Sequence, residues 1–124
     1  MILIDTNVFV DHLRGFPPAV KWFESISRRE DVLFSAITES ELVAGKECRD
    51  AHRKEILLRF LSHWNKVLVT NEVAVLAGDL VRDHGLLVPD ALIAAAAISR
   101  RASLITKNVK DFKKISLLKV LEPY

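Results

Sequence analysis

Short apolar segments recur along this chain, and a segment with helical spacing separates each from the next. The sequence predicts strands at 2–4, 32–34, 67–69 and 103–106, with a fifth at 118–121. Strands without polar alternation are typical of a parallel sheet buried on both faces, because each connection lays a helix against the sheet. We therefore predict a three-layer α/β/α domain over residues 1–124, with a central parallel sheet of four to five strands.

The helices are predicted from apolar spacing and from the residues that start and stop them. Proline in the first turn suits the helices that begin at Pro17 and Pro89, and Gly85 suits a helix end. The predicted helices cover 8–13, 17–27, a segment capped by Ser35 or Thr38 and running to Gly45, 53–64, a segment capped by Thr70 or Asn71 and running to His84, and 89–100.

Composition narrows the class of protein without naming an activity. Half of the 124 residues are hydrophobic and 27% are charged, which is typical of a globular chain, and a net charge of +2 permits an anionic partner. The one cysteine, Cys48, excludes an internal disulfide and a cysteine-rich metal site, and it favours a reducing compartment. With no basic leader and no apolar run longer than 91–98, we expect a cytoplasmic protein that does not enter a membrane.

Polar residues follow two of the predicted strands at their carboxyl ends. Asp5, Thr6 and Asn7 come directly after the first strand, and Asn108 and Asp111 follow the fourth. In a parallel sheet these ends share one edge, which is where ligands bind in open α/β folds. We therefore expect a polar site at this edge.

Two further carboxylates are predicted to reach the same edge from helices. On a helical wheel Glu41 lies on the face of Ala44, whereas Glu39 lies on the opposite face, so Glu41 is the candidate for a buried functional acid and Glu39 for a solvated one. Asp90 stands beside Pro89 in the first turn of an alanine-rich helix, where the helix dipole favours an anion.

Four carboxylates drawn together, those of Asp5, Glu41, Asp90 and Asp111, repel one another and need a cation. Mg²⁺ and Mn²⁺ prefer such oxygen ligands, and the four histidines, expected on surfaces, have no ligand-like spacing. A carboxylate-held Mg²⁺ or Mn²⁺ near a mildly basic surface favours phosphodiester chemistry. The supporting residues are predicted to be Thr6, Asn7, Thr106 and Asn108, and the candidate contacts to substrate phosphates are Lys107 and Lys110.

Each of these residues also has a simpler explanation when it is taken alone. Asp5 can cap a helix, Glu41 can be a solvated helix charge, Asp90 can serve the helix dipole, and Asp111 can cap a short turn. The lysines near 107–114 can equally form a solvated face. The coincidence of four acids, each at a sheet edge or a helix start, favours the functional interpretation.

The segments ILIDTNVFVD, SAITESELVAG, VPDALIAAAA and LITKNVKDF, taken in this order, resemble the PIN domain, in particular the VapC-type ribonuclease toxins of toxin–antitoxin pairs. The resemblance covers essentially the whole chain. It implies an α/β/α fold and Mg²⁺- or Mn²⁺-dependent cleavage of RNA. It also implies that Asp5, Glu41 and Asp90 match the three principal acidic positions and Asp111 the more variable fourth. A homodimer and a cognate antitoxin are further implications.

Two other functions remain open from the sequence. A phosphatase with Asp5 as nucleophile needs a second acid two residues later, where this chain has Asn7. A catalytically silent RNA-binding or assembly module keeps the fold but has no use for a carboxylate cluster, which destabilises a fold when it is unpaired.

Overall fold

A computed structural model describes residues 1–124 and is built on a five-stranded sheet whose neighbouring strands are all parallel. The strands are β1 (Ile2–Ile4), β2 (Val32–Ser35), β3 (Asn65–Val67), β4 (Ser103–Ile105) and β5 (Val120–Leu121). Their spatial order is β3-β2-β1-β4-β5, so the direction of strand addition reverses at β1. Such a reversal opens a crevice at the carboxyl ends of the central strands. The predicted three-layer fold with a parallel sheet of up to five strands is confirmed.

Seven helices and one 3-10 turn connect the strands. The helices are α1 (Thr6–Leu13), α2 (Pro17–Ile26), α3 (Ala36–Val43), α4 (Ala51–Leu61), α5 (Asn71–His84), α6 (Val88–Ser99) and α7 (Val109–Phe112), with the 3-10 turn at Lys46–Arg49. Side-chain caps start several of them, since Ser35, Asp50 and Thr70 each accept a hydrogen bond from a backbone N–H of the first turn. Gly85 ends α5 with φ of +66°, a left-handed conformation that glycine adopts without strain.

The apolar residues form two cores, one on each face of the sheet. In β1 the side chain of Leu3 joins the core beneath α5 and α6, whereas Ile2 and Ile4 join the core on the other face, as the alternation of strand side chains requires. The second core contains three buried phenylalanines, Phe9 of α1, Phe23 of α2 and Phe34 of β2, among aliphatic side chains. With both faces covered, only the rims of the sheet remain for chemistry.

The predicted bounds of β3 and α4 need correction. β3 lies at Asn65–Val67, two residues before the predicted 67–69, because it is an edge strand and carries the exposed residues Asn65 and Lys66. α4 covers Ala51–Leu61 instead of 53–64, because Asp50 caps it two residues early. An apolar pattern locates such elements but misplaces their ends where a polar residue pairs at the sheet edge or caps a helix.

The surface position predicted for the histidines is wrong for His12. Its ring is half-buried, stacked on Phe60 at a centroid distance of 5.0 Å and tilted against Phe23 at 4.6 Å. Its buried Nδ1 has no hydrogen-bond partner. Burial lowers the pKa of His12 below its ordinary value, because the aromatic neighbours take the place of water around part of the ring.

Candidate active site

Asp5 lies at the carboxyl end of the central strand β1 and is 4% exposed. One carboxylate oxygen accepts the backbone N–H of Thr6 at 2.8 Å, which makes Asp5 the N-cap of α1. The other oxygen accepts the hydroxyl of Thr106 at 2.7 Å, from the segment after β4. The carboxylate is therefore fixed by groups from both strands that flank the crevice.

Burial raises the pKa of Asp5 from 3.8 to about 6. The hydrogen bonds from Thr106 and Thr6 oppose this rise, because they stabilise the charged form, whereas the negative charges of Asp90 and Glu41 add to it. The Asp5 carboxylate is therefore repelled by two other acids of the candidate set. Such a carboxylate is stabilised by any cation that enters the crevice.

Glu41 reaches the site from α3 through Thr6. The Thr6 hydroxyl donates to Glu41 Oε1 at 2.7 Å, so Thr6 contacts Asp5 with its backbone and Glu41 with its side chain. The predicted burial of Glu41 is wrong, because its side chain is exposed, as is Ala44 on the same helix face. The face of α3 that carries Glu41 and Ala44 borders an open groove. The buried residues of α3 are Thr38 and Leu42. Glu39 lies away from the site in an ion pair with Lys66 at 2.9 Å.

Asp90 stands in the first turn of α6, as its position beside Pro89 predicts. Burial raises the pKa of Asp90, and the charges of Glu41 and Asp111 raise it further. Asp111 is an exposed residue of α7 and accepts a hydrogen bond from the Asn108 side-chain amide at 2.6 Å. The four candidate acids therefore form one electrostatically coupled group. The charges of Glu41 and Asp111 raise the pKa of Asp90, and the charges of Asp90 and Glu41 raise the pKa of Asp5.

Thr106 organises the segment that follows β4. Its fully buried hydroxyl donates to Asp5 and accepts the backbone N–H of Asn108 at 2.9 Å and the amide of Asn7 at 3.4 Å. The Asn7 side-chain oxygen in turn accepts the backbone N–H of Lys107 at 3.3 Å. Asn7 and Asn108 therefore tie the β4 segment to α1 and to Asp111, and neither amide contacts Asp5.

The two candidate phosphate-contacting lysines differ in their surroundings. Lys110 is exposed, and none of the ion pairs in the structure involves it. The Lys107 ammonium pairs with Glu122 at 2.8 Å, donates to the backbone oxygen of Tyr124 and lies 4.5 Å from the centroid of the Tyr124 ring. The Lys107 ammonium is thus occupied by contacts with Glu122 and Tyr124, whereas Lys110 has no ion-pair partner.

The chemistry of this donor set suits a hard divalent cation. None of the seven ion pairs involves Asp5, Glu41, Asp90 or Asp111, so the group has no cationic side chain of its own. The carboxylates do not close into a compact set of three or more ligands. Mg²⁺ usually keeps several waters and binds through one or two carboxylates, so it does not require three converging protein ligands.

One residue of this network is absent from the sequence-based candidates. Thr38 is fully buried in α3, and its hydroxyl lies 2.9 Å from that of Thr6. The sequence suggested it only as an alternative cap for α3, a role that Ser35 fills by accepting the N–H of Ile37 at 3.1 Å. Its spacing of three residues before Glu41, which places both on one side of a helix, is the signal that marks it.

A groove of about 590 Å³ is bordered by residues of α1, α3 and α4, and Glu41 is one of its lining residues. Its lining is more apolar than charged and includes the exposed side chains of Leu13 and Ile56, which are 48% and 51% exposed. Arg14 and Arg53 also line it. A largely apolar groove with Glu41 in its lining is suited to a partner that covers the groove and contacts this acid.

The sequence matches the profile of the PIN domain over residues 2–118. Ribonuclease VapC19 of Mycobacterium tuberculosis is 39% identical over 118 residues, which cover 90% of this chain and 92% of the relative. Ribonuclease VapC10 of the same species is 34% identical over 124 residues, covering 96% of this chain and 91% of the relative.

The fold is likewise similar to that of a chain in a toxin–antitoxin complex from Klebsiella pneumoniae. The TM-score is 0.85 at 31% sequence identity, and the alignment covers 100% of this chain and 98% of that one.

A bilayer-crossing helix would need a longer apolar stretch than any of the seven helices has.

Proposed function

This chain belongs to the PIN domain family, and we propose that it is a metal-dependent endoribonuclease that acts as the toxin of a toxin–antitoxin pair. The observation that carries the proposal is the group of four carboxylates without a basic partner at the carboxyl edge of the sheet. The relatives named ribonuclease VapC support RNA as the substrate class. The roles given below to individual residues are part of the proposal.

Asp5, Glu41, Asp90 and Asp111 would hold Mg²⁺ or Mn²⁺ between them. When bound, the cation supplies positive charge that polarises a phosphoryl oxygen and stabilises the negative charge developing in the transition state. The raised pKa values of Asp5 and Asp90 support this assignment, because both reflect carboxylates that are crowded and partly desolvated without a counter-charge.

The neighbouring residues hold this constellation in place. Thr106 and the N–H of Thr6 fix the two oxygens of Asp5, the Thr6 hydroxyl directs Glu41, and the Asn108 amide directs Asp111. Fixed ligands need no reorganisation when charge develops on the substrate, which is the main electrostatic contribution of a folded site. Lys110 would contact an RNA phosphate beside the acids, since it is exposed and unpaired.

The cognate antitoxin would occupy the apolar groove that Glu41 helps to line. The exposed apolar side chains of Leu13 and Ile56 provide the area that a partner segment covers. Leu13→Asp or Ile56→Asp should weaken antitoxin binding at least 10-fold and preserve RNA cleavage. Val75→Asp, at a residue 67% exposed on α5, is the matched control, and equal loss of binding in this variant would place the partner elsewhere.

We also propose a homodimer, and the supporting observation is a second set of exposed apolar residues away from the groove. Leu68 and Val69 follow the edge strand β3, and Leu87 and Val88 lie at the start of α6, with exposures of 41–74%. Light scattering on the purified chain tests this, and a monomer at micromolar concentration would contradict it.

The test of the active site is cleavage of RNA by the purified protein with Mg²⁺ present. We expect Asp5→Asn and Asp90→Asn to abolish cleavage while the folded state persists. Glu39→Gln, an acid of α3 outside the site, should cleave as the wild type does. Full activity in Asp90→Asn would refute the assignment, and RNA binding indifferent to both metal and Asp5 would favour the silent module. An acyl-phosphate trapped on Asp5 would favour the phosphatase.

A further inference from the structure

Four polar residues of this chain are buried, namely Asp5, Ser35, Thr38 and Thr106, and they all lie at or near the carboxyl edge of the sheet. Asp5 is a site residue, Thr106 holds it, and Ser35 caps α3. The role of Thr38 is not explained by any of these. Thr38 is 0% exposed, and its hydroxyl has one hydrogen-bond partner, the hydroxyl of Thr6 at 2.9 Å.

The direction of the hydrogen bonds follows from counting protons. A threonine hydroxyl has a single proton to donate. The Thr6 proton goes to the Glu41 carboxylate at 2.7 Å, since an ionised carboxylate only accepts. Thr38 must therefore donate to Thr6, and the three groups form a one-way chain from Thr38 through Thr6 to Glu41.

We propose that Thr38 is a positioning residue, which holds the Thr6 hydroxyl in the rotamer that directs Glu41 into the site. This inference rests on the proposed function in so far as Glu41 is a metal ligand. Glu41 is exposed and its side chain is otherwise free to turn, so its direction depends on the Thr6 proton. The Thr38 side chain is held more firmly than that of Glu41, because it is fully buried and its hydroxyl cannot exchange the bond to Thr6 for one to solvent.

A purely structural role predicts something different. Valine has nearly the shape of threonine, so a residue needed only for packing would tolerate Thr38→Val without any effect on Glu41. In the positioning role the same substitution removes the donor, and the Thr6 hydroxyl is then free to change rotamer. Groups that orient a metal ligand typically change metal affinity by about 10–100-fold when they are removed.

The first experiment measures the Thr6 rotamer in the metal-free protein by three-bond couplings to its methyl carbon. We expect one χ1 rotamer in the wild type and in Thr38→Ser, and averaged couplings in Thr38→Val. Ser40→Ala, which removes an exposed hydroxyl from the same helix, should resemble the wild type. A single unchanged rotamer in Thr38→Val would overturn the inference.

The second experiment measures Mn²⁺ affinity by calorimetry in the same variants. We expect the Kd for Mn²⁺ to rise about 10-fold in Thr38→Val, which is the lower end of the effects typical of groups that orient a metal ligand. In Thr38→Ser the Kd should return to the wild-type value. In a Glu41→Gln background, Thr38→Val should change the Kd less than twofold, because the residue through which it acts is already altered. An equal effect in both backgrounds would show that Thr38 does not act through Glu41.

The two readouts separate this inference from the proposed function. If the wild type binds no Mn²⁺ but the Thr6 rotamer averages in Thr38→Val, the metal requirement is wrong and the positioning stands. If the wild type binds Mn²⁺ and Thr38→Val leaves both the rotamer and the Kd unchanged, the positioning is wrong and the metal site stands.

Discussion

Asp5→Asn should stabilise the metal-free protein at neutral pH, although it should destroy cleavage. A rise of the Asp5 pKa from 3.8 to about 6 corresponds to about 3 kcal/mol of unfolding free energy that is lost once the carboxylate ionises. Asparagine removes that charge. Its side chain has one acceptor oxygen instead of two, so it keeps only one of the hydrogen bonds from the Thr106 hydroxyl and the Thr6 N–H, and one lost hydrogen bond costs about 1 kcal/mol. The net gain at pH 7.5 is therefore about 2 kcal/mol.

The pH dependence distinguishes this cause from a general effect on packing. An acid whose pKa is raised in the folded state contributes its full stability below pH 3.8, and that stability is lost as the pH rises towards about 6. The advantage of Asp5→Asn over the wild type should thus be about 2 kcal/mol smaller at pH 4.5 than at pH 7.5. Urea unfolding in EDTA at the two pH values measures it. An advantage that is absent at pH 7.5, or equal at both, would refute the reasoning.

Three further outcomes follow from the contacts around the site. Thr106→Val should lower the unfolding free energy by about 1–3 kcal/mol in urea, because it leaves the Asn108 N–H without its buried acceptor, and a change below 0.5 kcal/mol would contradict this. Lys110→Ala should weaken RNA binding and reduce its salt dependence, whereas Lys107→Ala should affect binding less because Lys107 is already paired, and titrations at two salt concentrations compare them. Burial and the hydrogen bond to Asp11 raise the pKa of Tyr124, so absorbance at 295 nm should not rise near pH 10, and an ordinary titration there would disprove the contact.

The fold and the backbone positions of the acids could be predicted because they follow from local patterns. The apolar segments at β1, β2 and β4 identify a parallel sheet, and the rule that its carboxyl ends share an edge then places Asp5 beside the segment after β4. Asp90 follows in the same way from the proline at the start of α6. These predictions need only the period of the pattern and the polarity of the chain.

The side-chain environment could not be predicted to the same degree, because it depends on packing between distant segments. Glu41 lies where the helical wheel places it, but the neighbouring groove leaves that face of α3 open, so Glu41 is exposed. His12 packs against Phe23 of α2 and Phe60 of α4, which lie outside its own helix. Lys107 is paired with residues 15 and 17 positions away, which no local pattern reveals.

Thr38 shows why a buried polar residue is difficult to identify from sequence. A threonine near the start of a helix of mixed polarity looks like a packing residue or a cap, and its partner, Thr6, is 32 residues away. Only the fold brings α1 and α3 together at the carboxyl edge and aligns the two hydroxyls. Its spacing to Glu41 was available in the sequence, but spacing alone does not distinguish a positioning residue from any other on that side of the helix.

The most direct test of the account is removal and return of the metal in one preparation. The protein is dialysed against EDTA, assayed on RNA, and assayed again after Mg²⁺ or Mn²⁺ is added, beside Asp90→Asn treated identically. The account predicts no cleavage without metal, recovery when either ion is returned, and no recovery in the variant. Cleavage that persists in EDTA, or that returns in Asp90→Asn, would contradict a carboxylate-held metal as the centre of this site.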